Sequence, residues 1–292
     1  MRFVIGTRGS KLALAQAEYV QQKLQERYPE DEFELRIIKT KGDKIQNKSL
    51  AAIGDKGLFV KEIERELLDG EIQLAVHSMK DMPGEIPEGL CFADAWERED
   101  PRDVLILREA NSLAELPEGA TIGTGSKRRA FQLLALRTDL KIVDIRGNVD
   151  TRLNKMHEQK MDGIVLAAAG LKRLHMESGI TQDLSTGEMI PAAAQGTLAI
   201  ELRREDRELL SMVNAFSDEK AQRIAQTERE FLQRIGGDCH LPIGAYASIL
   251  ADGQIRLQAL FGDADGEHLA QCDVCGNEPE SLAAVAVQQL RV

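Results

Sequence analysis

The stretch Val4-Ile5-Gly6-Thr7-Arg8-Gly9-Ser10 and its later counterpart Thr121-Ile122-Gly123-Thr124-Gly125-Ser126 decide the fold, because one local order occurs twice. In each, a short apolar run ends in a glycine-containing turn, and an apolar helical face follows. Ser10 is a residue type that caps helix N-termini well. The two openings share little identity beyond this order. They therefore predict a repeat of architecture, with one strand–turn–helix opening in each of two lobes.

Each opening continues as an alternation of short strands and amphipathic helices. Such an alternation predicts a largely parallel sheet with helices on both faces. Two lobes of this kind predict a ligand bound in a cleft between them. The further strands are predicted at residues 33–38, 73–77, 141–145 and 163–167, and the helices run through Leu12–Leu24, Leu58–Leu67, Leu133–Leu136 and Val149–Met156.

Two connectors divide the chain. A charged, proline-containing stretch at 97–101 ends the first lobe, and a second crossing at 191–196 returns the chain to it. We expect a first α/β lobe from residues 1–97 and 197–215 and a second α/β lobe from residues 101–191. Residues 218–292 then form a small α+β domain that carries Cys239, with a helix at 221–235, strands near 244–249, 255–261 and 268–274, and a closing helix from Pro279.

Composition describes an ordinary globular chain of 292 residues, with 43% hydrophobic and 29% charged residues. The net charge of −11 argues against a general nucleic-acid binder. No run reaches the apolar length of a membrane span. The first residues lack the long apolar segment of a secretory signal, so we expect a cytoplasmic protein with reduced thiols.

Basic residues gather where predicted strands turn into helices. Helix N-termini offer unpaired N–H groups and a dipole that attracts anions, so positive side chains there are costly unless an anion binds. Several separate arginines suit a ligand with several carboxylates, because guanidinium groups bind carboxylates in a fork. No phosphate-binding loop of the nucleoside triphosphatase type is present. The residues in question are Arg8, Lys11, Lys56, Lys127, Arg128, Arg129, Arg146 and Arg152.

The adjacent pair Lys80-Asp81 follows the predicted strand at 73–77, and Pro83 ends any regular element soon after. Strand ends are where α/β proteins place reactive groups. An ammonium beside a carboxylate can hold an anionic ligand and stabilise a developing cation. Taken alone, the pair is a weak signal, and a solvated surface ion pair is the more common reason for such a sequence.

The cysteines give a second set of candidates. Cys239 lies between glycines, which allow close backbone approach to a bulky group, although a small buried thiol remains an alternative. Cys272 and Cys275 form a lone C-x-x-C in a strand-like run. A zinc site would need further ligands, with His268 the obvious local one, and a redox pair would need a helix start. We therefore expect these two cysteines to be structural or incidental, and we expect no metal.

Taken together, these segments resemble the porphobilinogen deaminase family, also called hydroxymethylbilane synthases, nearly end to end. The motifs that carry the resemblance are Thr7-Arg8-x-Ser10, Lys56-Gly57-Leu58-Phe59-Val60-Lys61-Glu62, Val76-His77-Ser78-Met79-Lys80-Asp81, Arg98-Glu99-Asp100-Pro101-Arg102-Asp103, Ser126-x-Arg128-Arg129, Arg146-Gly147-Asn148-Val149-x-Thr151-Arg152-Leu153, Ala169-Gly170-Leu171-x-Arg173-Leu174 and Cys239-x-x-Pro242-Ile243-Gly244.

The resemblance implies two periplasmic-binding-protein-like lobes and a monomeric transferase of haem biosynthesis. Such an enzyme condenses four porphobilinogen molecules head to tail into hydroxymethylbilane and releases ammonia. It implies a dipyrromethane cofactor held through a thioether to Cys239, and Asp81 as the catalytic carboxylate. Implied cofactor contacts are Asp81, Lys80, Ser126, Arg128, Arg129 and Arg146, and implied substrate contacts are Arg8, Ser10, Lys56, Arg146, Arg152 and Arg173.

Two other interpretations remain open from the residues alone. One is a two-lobed carboxylate-binding protein without catalysis, which the domain containing Cys239 disfavours. The other is a thiol-redox protein that uses Cys272 and Cys275. The loop before Cys239 reads Gly236-Gly237-Asp238, whereas the family often has Glu-Gly-Gly, so the loop conformation is less well defined than the identity of the cysteine.

Overall fold

A computed structural model describes residues 1–40, 60–236, 241–263 and 268–291. The backbone separates into two compact units. The first unit is Met1–Arg98 with Thr197–Gln222, and the second unit is Glu99–Gly196 with Arg223–Val292.

The first unit is built on a five-stranded mixed sheet of order β2-β1-β3-β10-β4. Strand β1 runs parallel to both β2 and β3, whereas β10 runs antiparallel to β3 and β4. The elements are β1 (Arg2–Thr7), α1 (Lys11–Arg27), β2 (Glu32–Ile37), α2 (Lys61–Leu68), β3 (Leu74–Ser78), β4 (Leu90–Phe92), β10 (Leu198–Arg203) and α6 (Arg207–Asn214).

Side-chain alternation along the strands gives this sheet two buried faces. Leu74 and Val76 of β3 pack with α1 and α6, and Ala75 between them packs with α2. Helix α1 buries Val20 and Leu24 on the first face. The sheet is therefore covered by helices on both sides, as the alternating sequence pattern predicts.

The second unit repeats this plan in a sheet of order β7-β6-β8-β5-β9. Strand β6 is parallel to β7 and β8, and β5 is antiparallel to β8 and β9. The elements are β5 (Asp103–Leu107), β6 (Thr121–Gly123), α3 (Lys127–Leu136), β7 (Lys141–Val143), α4 (Val149–Glu158), β8 (Gly163–Ala167), α5 (Ala168–Arg173) and β9 (Gln182–Asp183).

Two apolar clusters lie on opposite faces of this sheet. Leu133 of α3 belongs to the cluster with Leu105 and Ile122, and Met156 of α4 belongs to the other, with Val104 and Ile164. Val104 and Leu105 belong to different clusters because successive side chains of a strand point to opposite faces of the sheet.

The C-terminal part of the second unit is a three-stranded antiparallel sheet with two helices. Phe231, fully buried, packs against this sheet together with Leu282 and Ala286. The strands are β11 (Gly244–Ile249), β12 (Ile255–Gly262) and β13 (Leu269–Gly276), and the helices are α7 (Glu219–Arg234) and α8 (Pro279–Leu290).

The predicted fold class, two doubly wound α/β lobes and a small α+β domain, is confirmed. Each five-stranded sheet is largely parallel, as expected, because four of its strands run in one direction and a single strand, β10 or β5, runs against them. In the first unit, the chain returns through the 191–196 crossing and adds β10 antiparallel to β3. Across the described ranges, no helix combines the length and apolarity that a bilayer span requires.

Candidate functional site

The Lys80-Asp81 pair lies on a single 3-10 turn, Met79–Asp81, that directly follows β3. The Met79 amide donates to the carbonyl of Thr197 at 3.0 Å, and the Met82 amide donates back to Met79 at 3.1 Å. Met79 and Met82 are buried, whereas Asp81 is exposed. The turn is thus anchored by apolar side chains on both sides of an Asp81 carboxylate that faces solvent.

Arg8 and Ser10 lie on the turn between β1 and α1. The Ser10 hydroxyl accepts a hydrogen bond from the Ala13 amide at 3.3 Å, which confirms the predicted N-cap. The first turn of α1 contains no acidic residue. Because β1 and β3 are parallel neighbours, the Arg8 turn and the Asp81 turn lie at the same carboxyl edge of the sheet.

Ser126 caps α3, where its hydroxyl accepts from the Arg129 amide. Arg128 and Arg129 are buried and converge on Asp103, the fully buried first residue of β5. Arg128 Nη1 lies 2.6 Å from Asp103 Oδ2, and Arg129 Nη2 lies 2.7 Å from Oδ1. Burial lowers the pKa of Arg128, and the Asp103 carboxylate opposes that effect.

These two arginines also bind the backbone. Arg128 Nη1 donates to the carbonyl of Ile190 at 2.7 Å, and Arg129 Nη1 donates to that of Val165 at 3.2 Å. Sequence reasoning gave Asp103 no role, although a carboxylate opening the apolar run Asp103–Leu107 is a recognisable signal. Two guanidinium groups face one carboxylate, so an excess of positive charge remains at the start of α3.

Arg146 and Arg152 flank the turn that opens α4. Arg146 Nε donates to Asp144 Oδ2 at 3.2 Å, and Arg152 Nε donates to the carbonyl of Gly147 at 2.8 Å. Gly147 has φ +124°, a conformation that favours glycine. The structure therefore brings these two predicted residues together on one turn.

Arg173 is the last residue of α5 and is half-buried. Its Nη2 donates to the carbonyl of Gly196 at 2.7 Å, which ties it to the crossing segment. Helix α5 follows β8, and α3 and Arg146 follow β6 and β7. Since these three strands are parallel, α3, α5 and the turn that carries Arg146 all begin at one carboxyl edge of the sheet.

The crossing segment itself is held by two further buried polar residues that sequence reasoning missed. Gln195 Nε2 donates to the carbonyl of Pro101 at 2.7 Å and to Asp103 Oδ1 at 3.0 Å. Glu228, fully buried on α7, accepts from the amide of Ala194, which has φ +57°. These contacts fix the conformation of the segment that the sequence identifies as a lobe connector.

Cys239 and Lys56 lie outside the described residues, and so do Gly237 and Asp238 of the loop before Cys239. Cys272 and Cys275 lie on β13, where Cys272 is half-buried and Cys275 is exposed. Residues three apart on a strand point to opposite faces, so the two thiols cannot act as one site. Within the described part of the chain, no group of histidine, cysteine and carboxylate side chains is arranged to hold a metal ion.

A second cluster of ionisable groups lies inside the first unit and was also missed. His77 Nε2 lies 3.2 Å from Glu201 Oε2, and both side chains are buried. Glu64 of α2 is buried nearby. Burial, and then the negative charge of Glu201, raise the pKa of Glu64 from its ordinary value to about 7, against a smaller opposing effect of Lys61.

The raised pKa of Glu64 predicts a pH-dependent stability. A carboxyl group whose pKa is higher in the folded state stabilises fully below the unfolded pKa, and this contribution is lost as pH rises through about 7. Glu64→Gln makes the group permanently neutral. We expect the thermal midpoint of Glu64→Gln relative to wild type to increase between about pH 5.5 and about pH 8. The exposed Glu88→Gln is the control, and a Glu64→Gln difference that does not vary with pH would contradict the assignment.

Each of the two α/β units presents arginines and a serine-capped helix start at the carboxyl edge of its own sheet, and the first unit also presents the exposed Asp81 there. This arrangement is typical of α/β proteins that bind ligands with several carboxylates. Comparison with known proteins identifies the family. Residues 3–211 match the family description "Porphobilinogen deaminase, dipyromethane cofactor binding domain", and residues 223–290 match "Porphobilinogen deaminase, C-terminal domain". The chain belongs to the porphobilinogen deaminase family.

Curated relatives agree over nearly the whole length. Porphobilinogen deaminase of Lachnospira eligens is 55% identical over 292 residues and covers 99% of each chain. That of Clostridioides difficile is 53% identical over 278 residues, 95% of this chain and 92% of the relative. The chain is therefore a transferase that condenses porphobilinogen into a linear tetrapyrrole on a dipyrromethane cofactor, as expected, and the alternative of a binding protein without catalysis is wrong.

Solved structures with similar folds are more distant. The probable amino-acid ABC transporter extracellular-binding protein ytmK from Bacillus subtilis has a TM-score of 0.44 at 11% identity, covering 74% of this chain and 89% of that one. The periplasmic VFT2 domain of Bordetella pertussis BvgS has a TM-score of 0.42 at 17% identity, covering 73% and 85%.

Proposed function

We propose that Asp81 is the catalytic carboxylate of the condensation and that the basic groups at the two carboxyl edges hold the carboxylates of substrate and cofactor. The observation that carries this proposal is the distribution of the predicted residues. In each unit, every described candidate residue lies on the turn after the carboxyl end of a strand, or on the helix that follows that turn. The strands in question belong to that unit's own five-stranded sheet. This is where open α/β sheets bind ligands.

Asp81 suits the proposed role because its carboxylate is exposed on a turn whose backbone is anchored. Loss of ammonia from porphobilinogen leaves an electron-poor, positively charged substrate. A carboxylate near the pyrrole N–H groups stabilises that charge and can accept or return a proton. Lys80, on the same turn, carries the opposite charge and is proposed to contact a carboxylate of the cofactor.

The donor groups on the second unit fit a dipyrromethane that carries carboxylate side chains. We propose that Ser126, Arg128, Arg129 and Arg146 face the cofactor, with Cys239 as its covalent attachment. When bound, the dipyrromethane supplies the pyrrole to which the first substrate is joined. The Asp103 network supports this proposal by holding an excess positive charge at the start of α3.

Substrate carboxylates are proposed to bind Arg8, Ser10, Lys56, Arg146, Arg152 and Arg173. Arg146 and Arg152 flank one turn, so a single bound carboxylate can contact both, and Arg146 is assigned to cofactor and substrate alike. Arginine suits this role because its fork binds both oxygens of a carboxylate and stays charged at every relevant pH.

We further propose that the protein is a cytoplasmic monomer that binds neither nucleic acid nor membrane. We also propose three domains, formed by residues 1–97 with 197–215, by residues 101–191, and by residues 218–292. The net charge of −11 and the free thiols of Cys91, Cys272 and Cys275 support the first part. The two family matches, which divide between residues 211 and 223, support a separate C-terminal domain.

Incubation of the purified chain with porphobilinogen tests the proposed function. We expect consumption of porphobilinogen, release of ammonia and a product that oxidises to uroporphyrin. Arg152→Lys keeps the charge but removes the fork, so we expect it to raise the KM for porphobilinogen more than it lowers kcat. The exposed Arg2→Lys, at the far end of β1, is the control. Wild-type protein that leaves porphobilinogen unchanged would contradict the proposal.

A further inference from the structure

The buried pair of His77 and Glu201 has no assigned part in the condensation. Glu201 is fully buried and His77 is 6% exposed, and the imidazole Nε2 lies 3.2 Å from the carboxylate. Burying ionisable groups is costly unless they are paired. Neither His77 Nε2 nor the carboxylate oxygens of Glu201 have a hydrogen-bond partner among the described residues, so this close approach is the polar contact that the structure shows for the pair. The pair lies on the face of the sheet that packs against α2, where apolar residues are the norm.

The register of the two strands explains how these side chains meet. His77 lies opposite Ala199, and Glu201 lies opposite Ala75. The two long side chains therefore lie on a diagonal of the ladder, and the two alanines leave space between them. Diagonal neighbours in an antiparallel pair lie about 7–8 Å apart at Cα, which long side chains can span. The contact ties β3 and β10 together at this register.

This tie lies immediately before the turn that carries Asp81. Ser78 makes the last ladder pair of β3, with Leu198, and the Met79 amide then donates to the carbonyl of Thr197. The start of β10 therefore sets where the turn begins. A shift along the strand direction would move Asp81 by about 3.3 Å per residue, and misplacement by about 1 Å can reduce turnover about a hundredfold.

Glu64 is a third buried ionisable group, and the charge of Glu201 affects its pKa. It approaches from α2, on the same face, and its pKa of about 7 keeps it largely neutral below that pH. Lys61 is the charged group of α2 that opposes this effect. A neutral Glu64 avoids a second buried negative charge beside Glu201.

We propose that His77 and Glu201 are positioning residues that hold the Asp81 turn in its catalytic register. The proposal rests on the assignment of Asp81 as the catalytic carboxylate. His77 and Glu201 do not touch substrate in this account. They act through the strand end, so their loss should reduce kcat while leaving substrate binding and cofactor attachment largely intact.

Two substitutions of His77 separate the shape of the side chain from its polar contact with Glu201. His77→Phe keeps a ring but removes the polar nitrogen, and His77→Gln keeps an amide that can reach Glu201. We expect kcat of His77→Phe to fall by about 10- to 100-fold with KM within about twofold of wild type. We expect His77→Gln to recover kcat to within about threefold of wild type. The exposed His157→Phe is the control.

The readouts are kcat and KM for porphobilinogen, with intact mass to count the bound dipyrromethane. Folded His77→Phe with wild-type kcat would overturn the proposal, and so would equal losses in His77→Phe and His77→Gln. If His77→Phe does not fold, Glu201→Gln provides the test. We expect kcat of Glu201→Gln to fall by about 10- to 100-fold, and folded Glu201→Gln with wild-type kcat would overturn the proposal. An inactive wild type would contradict the proposed function instead, so the two failures are distinguishable.

Discussion

Asp81→Ala is expected to lower kcat by about 10²- to 10⁴-fold, the range typical for removing a group that stabilises charge and moves protons in the transition state. The KM for porphobilinogen should change much less, because its carboxylates are bound by other residues. The fold should survive, since Asp81 is exposed on a turn held by Met79 and Met82. Steady-state kinetics with porphobilinogen measures both constants.

Asp81→Asn and Glu85→Gln complete this experiment. Asp81→Asn keeps the shape and removes the charge, so it should lose about as much turnover as Asp81→Ala. Glu85 is an exposed acid on the same loop, and Glu85→Gln should retain wild-type kcat. Assembly of the cofactor in each variant is checked by intact mass. Normal turnover by fully loaded Asp81→Ala would remove Asp81 from the mechanism.

Asp103→Asn is expected to destabilise the second unit by about 3–5 kcal/mol, because it leaves two buried guanidinium groups without their counter-charge. Asp103 is fully buried and contacts Arg128, Arg129 and Gln195. For a domain of this size the loss corresponds to a fall of roughly 6–20 °C in the thermal midpoint. Thermal unfolding followed by circular dichroism measures it.

Asp273→Asn provides the matched control for Asp103→Asn. Asp273 forms an ion pair of similar geometry with Arg256 on the surface of β13, where both side chains are 44% exposed. Exposed pairs contribute about 1 kcal/mol or less, so this variant should melt close to wild type. Equal melting of the Asp103→Asn and Asp273→Asn proteins would show that the Asp103 network is not a stabilising centre.

Local patterns were enough to predict the doubly wound lobes, because strand and helix periods and turn chemistry act over a few residues. Ser10 as a helix cap is an example. The direction of β10 was not predictable in this way. It depends on the crossing at 191–196, where Gln195 and Glu228 hold the backbone through partners far away in sequence.

The same distinction between local patterns and contacts distant in sequence applies to the candidate site. The carboxyl-edge residues Arg8, Lys80 and Arg146 follow from the order of strands and turns. The contact of Arg128 and Arg129 with Asp103 does not follow from that order. The arginines lie on α3 and Asp103 lies on β5, and only the folded chain brings them together. Glu201 had a signal of its own, a carboxylate in the apolar strand Leu198–Arg203, but only the register with β3 connects it to His77.

The central claim is that this chain works on a covalent dipyrromethane primer held by Cys239. Intact-mass measurement of freshly purified, active protein tests it most directly, beside Cys239→Ser and, as a control, Cys272→Ser. We predict that wild type and Cys272→Ser are heavier than their sequences by one dipyrromethane and that Cys239→Ser is not. Active wild-type protein with an unmodified mass, or an adduct that persists in Cys239→Ser, would contradict the account.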